Sequence, residues 1–365
     1  MKYPPVQYHD YLQMDKILGS QTLRSEELGK KAHDEMLFII VHQTYELWFK
    51  QMLFELDSVL EFFSQKTVDE SLMGTAVSRL ERIVEIQKFI NGQIDVLETM
   101  TPLDFLEFRD FLYPASGFQS FQWRCLETKL GLKMDQRLSY NQQPFYKHLK
   151  PEQQKQITEV LQQPSLFDLI EKWLERTPFV QAEDFVFWKD YQRAVENLLE
   201  SDKQVVNNNT RLSPEEKKRN LDQIDASLAT FHALFSEEKY LGLQEQGYFR
   251  MSAKALHAAL LIQLYREQPV LQMPFRMISA LIDLDENMTQ WRYRHSLMVH
   301  RMLGRKIGTG GSSGHEYLKA ATDQHKIFTD FFNLTTFFIP RSQIPALPNQ
   351  LKQRMGYHYL MDPKT

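Results

Sequence analysis

The chain has 365 residues, 42% of them hydrophobic and 25% charged, with a formal net charge of −4. This is an ordinary globular balance, long enough for one large domain or two average ones. No basic stripe marks nucleic acid or an anionic membrane as the main partner. The one cysteine, Cys125, excludes an internal disulfide and any multi-cysteine metal site, and it fits a reducing, cytoplasmic compartment.

The first residues, Met1 to Lys16, carry no apolar core of signal-peptide type. From Ser25 onward, Leu28, Ala32, Met36, Ile39, Leu47 and Leu56 fall near helical spacing and predict helix. Thr67-Val-Asp-Glu70 reads as a capping box ahead of the apolar series Leu72, Ala76, Leu80, Ile83 and Ile90. Thr101-Pro-Leu-Asp104 and Ser213-Pro-Glu-Glu216 are further helix starts, each with proline at the first helical position.

The texture changes in the middle of the chain. Lys150 to Lys155, Val205 to Asn209 and Pro214 to Lys218 are polar, so residues 141–240 read as a helical subdomain inserted into a shared core made of 21–140 and 241–345. Residues 1–20 and 346–365 are read as terminal segments. The longest apolar stretch, Ala255 to Tyr265, is broken by His257 and Gln263 and is far below the ~20 residues of a membrane helix. A last long helical pattern runs from about Phe275 to Met302, and Gly308-Thr-Gly-Gly-Ser-Ser-Gly314 is the clearest loop. No alternating strand pattern is convincing, so the fold class is all-α.

Among eleven histidines, two stand out by position. His42 shares a helical stripe with Phe38, Tyr45 and Phe49, and His295 shares one with Met288, Trp291, Met298 and Met302. A lone neutral imidazole in an apolar, aromatic wall is what a haem iron requires of a protein. Periodicity alone leaves open a buried structural histidine bonded to a carbonyl. Arg109 follows Phe105 by four residues; it is suited to clamp a carboxylate with two parallel hydrogen bonds, or simply to pair with Glu107 or Asp110. The glycine-rich loop lacks the Lys-Ser/Thr ending of a phosphate loop, although its N–H groups could hold an anion.

Taken together, Tyr8 to Lys16, Phe38 to Trp48, Phe108 to Ser120, Trp291-Arg-Tyr-Arg-His295 and Gly308 to Gly314 resemble the tryptophan 2,3-dioxygenases, in that family's order and over nearly the whole chain. The resemblance implies a helical bundle enclosing haem b, one per subunit and ferrous when active. It implies insertion of both atoms of O2 at the C2–C3 bond of L-tryptophan, giving N-formyl-L-kynurenine and opening the kynurenine route of tryptophan breakdown.

It further implies that His295 is the iron ligand and that His42 accepts the indole N–H. Arg109 and Thr309 would hold the amino-acid end of the substrate, and Phe38 and Phe105 would wall its ring. Ser116, Gly117 and Trp291 would lie against the haem. Tyr8, Tyr11 and Leu12 would reach a neighbouring subunit's pocket in a homotetramer. Position 105 is Phe where some members carry Tyr, which leaves more of the carboxylate contact to Arg109 and Thr309. His300, five residues past His295, is expected to point away from it. The alternatives are a related haem-dependent aromatic amino acid hydroxylase, and a haem- or tryptophan-binding sensor; a helical scaffold without a cofactor leaves the motif set unexplained.

Overall fold

Helices account for most of the described backbone, and several begin where a side chain receives their first N–H donors. The structure, a computed structural model, describes residues 3–138, 144–178, 181–182, 185–304, 306 and 314–356. The helices are α1 (Tyr8–Tyr11), α2 (Met14–Leu18), α3 (Arg24–Glu27), α4 (Glu35–Ser64), α5 (Met73–Leu97), α6 (Pro102–Phe108), α7 (Phe121–Leu130), α8 (Pro151–Leu161) and α9 (Leu166–Leu174). A two-residue antiparallel pair, β1 (Gln181–Ala182) and β2 (Phe185–Val186), precedes α10 (Phe187–Asn208), α11 (Pro214–Ala233), α12 (Glu237–Glu245) and α13 (Ala253–Leu264). Then come α14 (Gln272–Leu303), α15 (Gly314–Gln324), α16 (Thr329–Leu334) and α17 (Asn349–Met355). The all-α reading holds; the pair β1–β2 is too short to carry an alternating pattern, which is why periodicity missed it.

The capping boxes at Thr101/Asp104 and Ser213/Glu216 form as the sequence predicts. Two local expectations are corrected. Helix does not run unbroken from Ser25: Gly29, at φ +70°, ends α3, with Gly29 N–H donating to the Glu26 carbonyl and Lys30 N–H to the Ser25 carbonyl. This is the glycine-terminated double bond that closes a helix, and periodicity cannot see it because Ala32 and Met36 stay in phase across the gap. Glu35 then caps α3, its carboxylate accepting from Arg24 N–H and Ser25 N–H. At the second site, Asp69 rather than Thr67 is the cap, accepting from Ser71 N–H at the head of a single 3₁₀ turn.

The chain divides into two compact units. The first comprises Met1–Leu56, Arg82–Gln163 and Glu286–Lys326. Within it, α4 buries Tyr45, Phe49, Met52 and Leu56 at spacings of four, three and four, and the Tyr45 hydroxyl donates to the Ile90 carbonyl at 3.0 Å. The Asn91 amide donates to the Asn287 carbonyl, and Arg294 donates to the Asn91 carbonyl, so α5 and α14 are bonded directly.

The second unit comprises Asp57–Glu81, Pro164–Asp285 and Ile327–Thr365. Its core is aromatic: Phe167, Phe187, Tyr191, Phe249, Phe328, Phe331 and Phe337 are fully buried. Each such ring removed from water contributes roughly 1.5–3 kcal/mol. Helix α13 is apolar on all sides because it is buried on nearly all sides, and His257 within it donates through Nε2 to the Leu234 carbonyl at 3.0 Å. Among the described residues, no helix is long and apolar enough to cross a membrane.

Candidate active site

Most of the candidate residues lie within the first unit, around one cavity of about 330 Å³. Helix α4 presents Phe38, His42, Tyr45, Glu46 and Phe49 to it, α7 presents Trp123, Arg124 and Glu127, and α14 presents Trp291, Arg292, His295 and Met298. Phe105, Arg109, Ser116, Gly117 and Tyr317 complete the wall. A second depression of about 460 Å³ in the other unit, between Ser201 and Asn209, is open and gathers only polar side chains and Val205.

His42 is fixed by its own helix. Its Nδ1 lies 2.7 Å from the Phe38 carbonyl, which can only accept, so Nδ1 carries the proton and donates it. Burial lowers the pKa of His42; the Phe38 hydrogen bond and the Glu46 charge oppose this without overcoming it. The ring is therefore neutral near pH 7, with the lone pair of Nε2 available as an acceptor. Phe38 packs 4.0 Å from His42 by ring centroids and stacks on Phe105 at 5.8 Å. Behind both, the fully buried Phe108 meets each ring edge-on.

His295 is held differently. Trp291, one turn earlier, stacks on it at 5.0 Å and 23°, and Trp123 lies 4.5 Å beyond Trp291. Burial, with a smaller effect from His42, lowers its pKa to about 4. His295 Nδ1 is buried with no hydrogen-bond partner among the described residues. A buried polar atom left in this state costs stability and calls for a functional reason. His300 is exposed, as its position on the helix requires.

At one end of the cavity sits a charge cluster that the sequence reading missed. Glu127, 1% exposed, is 3.0 Å from Arg124, 2.8 Å from Arg137 and 3.0 Å from Arg292. Burial by itself raises a carboxyl pKa, but Arg124, His325, Arg137 and Arg292 together hold Glu127 well below the usual carboxylate range. His325 Nε2 accepts from Leu138 N–H at 3.2 Å, so the ring proton is on Nδ1, facing Glu127 at 3.8 Å. Three guanidiniums against one carboxylate leave an excess of two positive charges. The signal in the sequence was Arg124 and Glu127, i and i+3 on one helix; Arg292 and His325 join only through the fold.

Arg109 lines the cavity with its side chain 14% exposed, while Asp110, 3.9 Å away, is 88% exposed. Phe38, His42, Phe105, Arg109, Ser116, Gly117, Trp291 and His295 are thus brought together. Tyr8, Tyr11 and Leu12 are not: they are 75%, 74% and 37% exposed on and just after α1, and none lines this cavity. Thr309 lies outside the described residues.

Comparison with known proteins settles the relationship. Residues 3–338 match the model of the family described as tryptophan 2,3-dioxygenase. The chain belongs to the tryptophan 2,3-dioxygenase family. It is 63% identical to the tryptophan 2,3-dioxygenase of Bdellovibrio bacteriovorus over 98% of this chain and the whole of that protein. The corresponding enzyme of Alteromonas mediterranea is 49% identical over 97% of this chain and 98% of the relative. That of Dictyostelium discoideum is 44% identical over 96% and 88%. Family membership thus spans both compact units, and the histidine pair sits in the first of them.

Proposed function

We propose that this chain is a tryptophan 2,3-dioxygenase, inserting both atoms of O2 at the C2–C3 bond of L-tryptophan to give N-formyl-L-kynurenine. The observation that carries it is the pairing of two neutral histidines, one with Nε2 free to accept and one with a buried, unpartnered Nδ1, in the walls of one aromatic cavity.

Haem b fits the residues present. His295 is a neutral imidazole in an apolar wall, the donor a haem iron takes; its Nδ1, whose N–H a metal-bound imidazole ordinarily donates to a neighbour, has no partner among the described residues. The two excess positive charges of the Arg124–Arg137–Arg292 cluster suit the two carboxylates of that cofactor. Trp291 would buttress the ligand, and Ser116 and Gly117 would face the cofactor's edge. When bound, the haem supplies the ferrous iron at which dioxygen is activated.

The chain's own side chains do the rest. His42 Nε2 accepts the indole N–H, which orients the ring and raises its electron density. Phe38 and Phe105, stacked on one another, wall the ring on one side and keep water away. Arg109 takes the substrate carboxylate, and Thr309, in the glycine-rich loop, shares the hold on the amino-acid end. Arg109→Ala is expected to raise the KM for L-tryptophan roughly tenfold to a hundredfold, since a charge-assisted pair contributes about 1.5–3 kcal/mol. Steady-state kinetics check this, and an unchanged KM removes Arg109 from the clamp.

The exposed Tyr8, Tyr11 and Leu12 support a homotetramer whose sites are completed by the neighbour's N-terminal segment. Residues 21–140 and 241–345 form the cofactor-binding core on this reading, with 141–240 inserted; among the described residues, those lining the cavity fall in the first two stretches. Deleting residues 1–20 is expected to lower both activity and assembly size, measured by sizing with light scattering; a fully active truncated monomer refutes the shared site.

The function itself is tested with reduced, haem-loaded protein, L-tryptophan and isotopically labelled dioxygen, followed by mass spectrometry. Product with two labelled oxygens establishes the dioxygenase. Product with one moves the reading to a hydroxylase, and haem and tryptophan binding with no product moves it to a sensor.

A further inference from the structure

Glu46 lies one helical turn beyond His42 on α4 and lines the same cavity. Its carboxylate is engaged from a segment more than seventy residues away. The Ser120 hydroxyl donates to Oε1 at 2.6 Å, and the Gln122 amide donates to Oε2 at 2.8 Å. The same amide also donates to the main-chain carbonyl of Glu46 at 2.7 Å. Hydrogen bonds to an ionised acceptor are the shorter and stronger class.

Ser120 is itself the cap of α7, receiving Trp123 N–H, and just before it Ser116 and Gln119 close a capping box around the 3₁₀ turn Gly117–Gln119. The stretch Ser116–Ser120 is therefore a preformed piece of wall, and Glu46 is the side chain that bonds it to the helix bearing Phe38 and His42.

We propose that Glu46 is a positioning residue for the reaction: through Ser120 and Gln122 it fixes the Ser116–Ser120 wall against α4, so that the indole is seated on His42. The proposal rests on the dioxygenase reading and adds to it a residue that acts through Ser120 and Gln122. A second effect follows from charge. The charged and titratable groups that share the cavity with His42 are Tyr45 and Glu46 on its own helix, Arg109, Arg124 and Glu127 on α7, Arg292 and His295 on α14, and Tyr317 and His325. Glu127 is already matched by guanidiniums, so Glu46 is the carboxylate whose field His42 feels; its charge opposes the lowering of the His42 pKa by burial.

The test compares haem-loaded wild type with Glu46→Ala, Glu46→Gln and Glu46→Asp, measuring kcat, KM for L-tryptophan, haem content and the pH profile of kcat/KM. Wild type must first form N-formyl-L-kynurenine; if it does not, the functional reading fails before the clamp is examined. The alanine variant is expected to lose about a hundredfold in kcat at normal haem content, the scale of a misplacement of about 1 Å. The glutamine variant, which still accepts from Ser120, is expected to lose less.

In both, the acid limb of kcat/KM moves to lower pH, because the charge favouring the His42 imidazolium is gone and the neutral acceptor persists further into acid. A merely structural role does not move that limb. An alanine variant within twofold of wild type at every pH overturns the proposal. So does parallel loss of haem from all three variants, which would make Glu46 a cofactor-retention residue. Should the alanine variant not fold, Gln122→Met removes one arm of the clamp at a half-buried site; kcat is then expected to fall severalfold with the acid limb unmoved, and an unchanged kcat again overturns the proposal.

Discussion

His295→Ala is expected to give a folded chain that no longer takes up haem and has no dioxygenase activity. The reason it should fold lies in the balance at that residue. The substitution forfeits the stacking of Trp291 on the imidazole, worth about 0.5–1.5 kcal/mol. It also removes a buried nitrogen with no hydrogen-bond partner among the described residues, a burden of about 1–3 kcal/mol. Relief of that nitrogen offsets part of the lost stacking and packing, so the apoprotein should still fold but unfold at a lower temperature than wild-type apoprotein in a thermal scan. Haem titration followed by absorbance gives the other half of the result. A variant with normal haem content and spectrum removes His295 as the ligand, whereas a variant that unfolds as apoprotein shows that the residue supports the fold as well.

The second large effect concerns Glu127. Glu127→Gln leaves Arg124, Arg137 and Arg292 buried beside one another without their shared carboxylate. Removing one partner from a buried ionic cluster costs about 3–5 kcal/mol, a large part of the 5–15 kcal/mol that typically holds a protein folded. Urea unfolding of the apoprotein measures it.

Because the folded-state pKa of Glu127 is depressed, its contribution is present above the unfolded carboxylate pKa of about 4.3 and is lost only as pH falls through the lower folded value. Wild type should therefore lose this stability only in strong acid, and Glu127→Gln should lack that part of the acid dependence. Adding Arg137→Met, the one arginine of the three that does not line the cavity, should recover part of the loss. Equal stability of wild type and Glu127→Gln would contradict the role given to the carboxylate.

What could be read from the residues, and what could not, follows from sequence distance. His42 and His295 stood out as candidates because each lies in an aromatic or methionine-rich stripe with the period of its helix, a pattern that also fits a structural histidine; the fold brings both to one cavity. Arg109 fits both readings offered by its sequence: its side chain lines the cavity, and it also lies 3.9 Å from the exposed Asp110. Glu127 was legible only as half of a local pair with Arg124. Its meaning depends on Arg292 and His325, 165 and 198 positions away, and no local pattern records which guanidinium a carboxylate will meet. Glu46 was hidden for the same reason, since its partners arrive from the head of another helix. The helix starts at Thr101 and Ser213 were plain because a capping box is local, while the break at Gly29 was concealed by an apolar register that continues across it.

The packing of Trp123 on Trp291, and of Trp291 on His295, has an optical consequence. Two of the five tryptophans are cavity-wall residues, adjacent to the place where an intensely absorbing cofactor would sit. Their ultraviolet emission is therefore an intrinsic gauge of loading: bright when the cavity is filled only by solvent, and quenched in proportion as haem enters. Replacing Trp123 or Trp291 with Phe would apportion the signal, giving a label-free way to follow cofactor capture in the unmodified chain and to separate it from turnover.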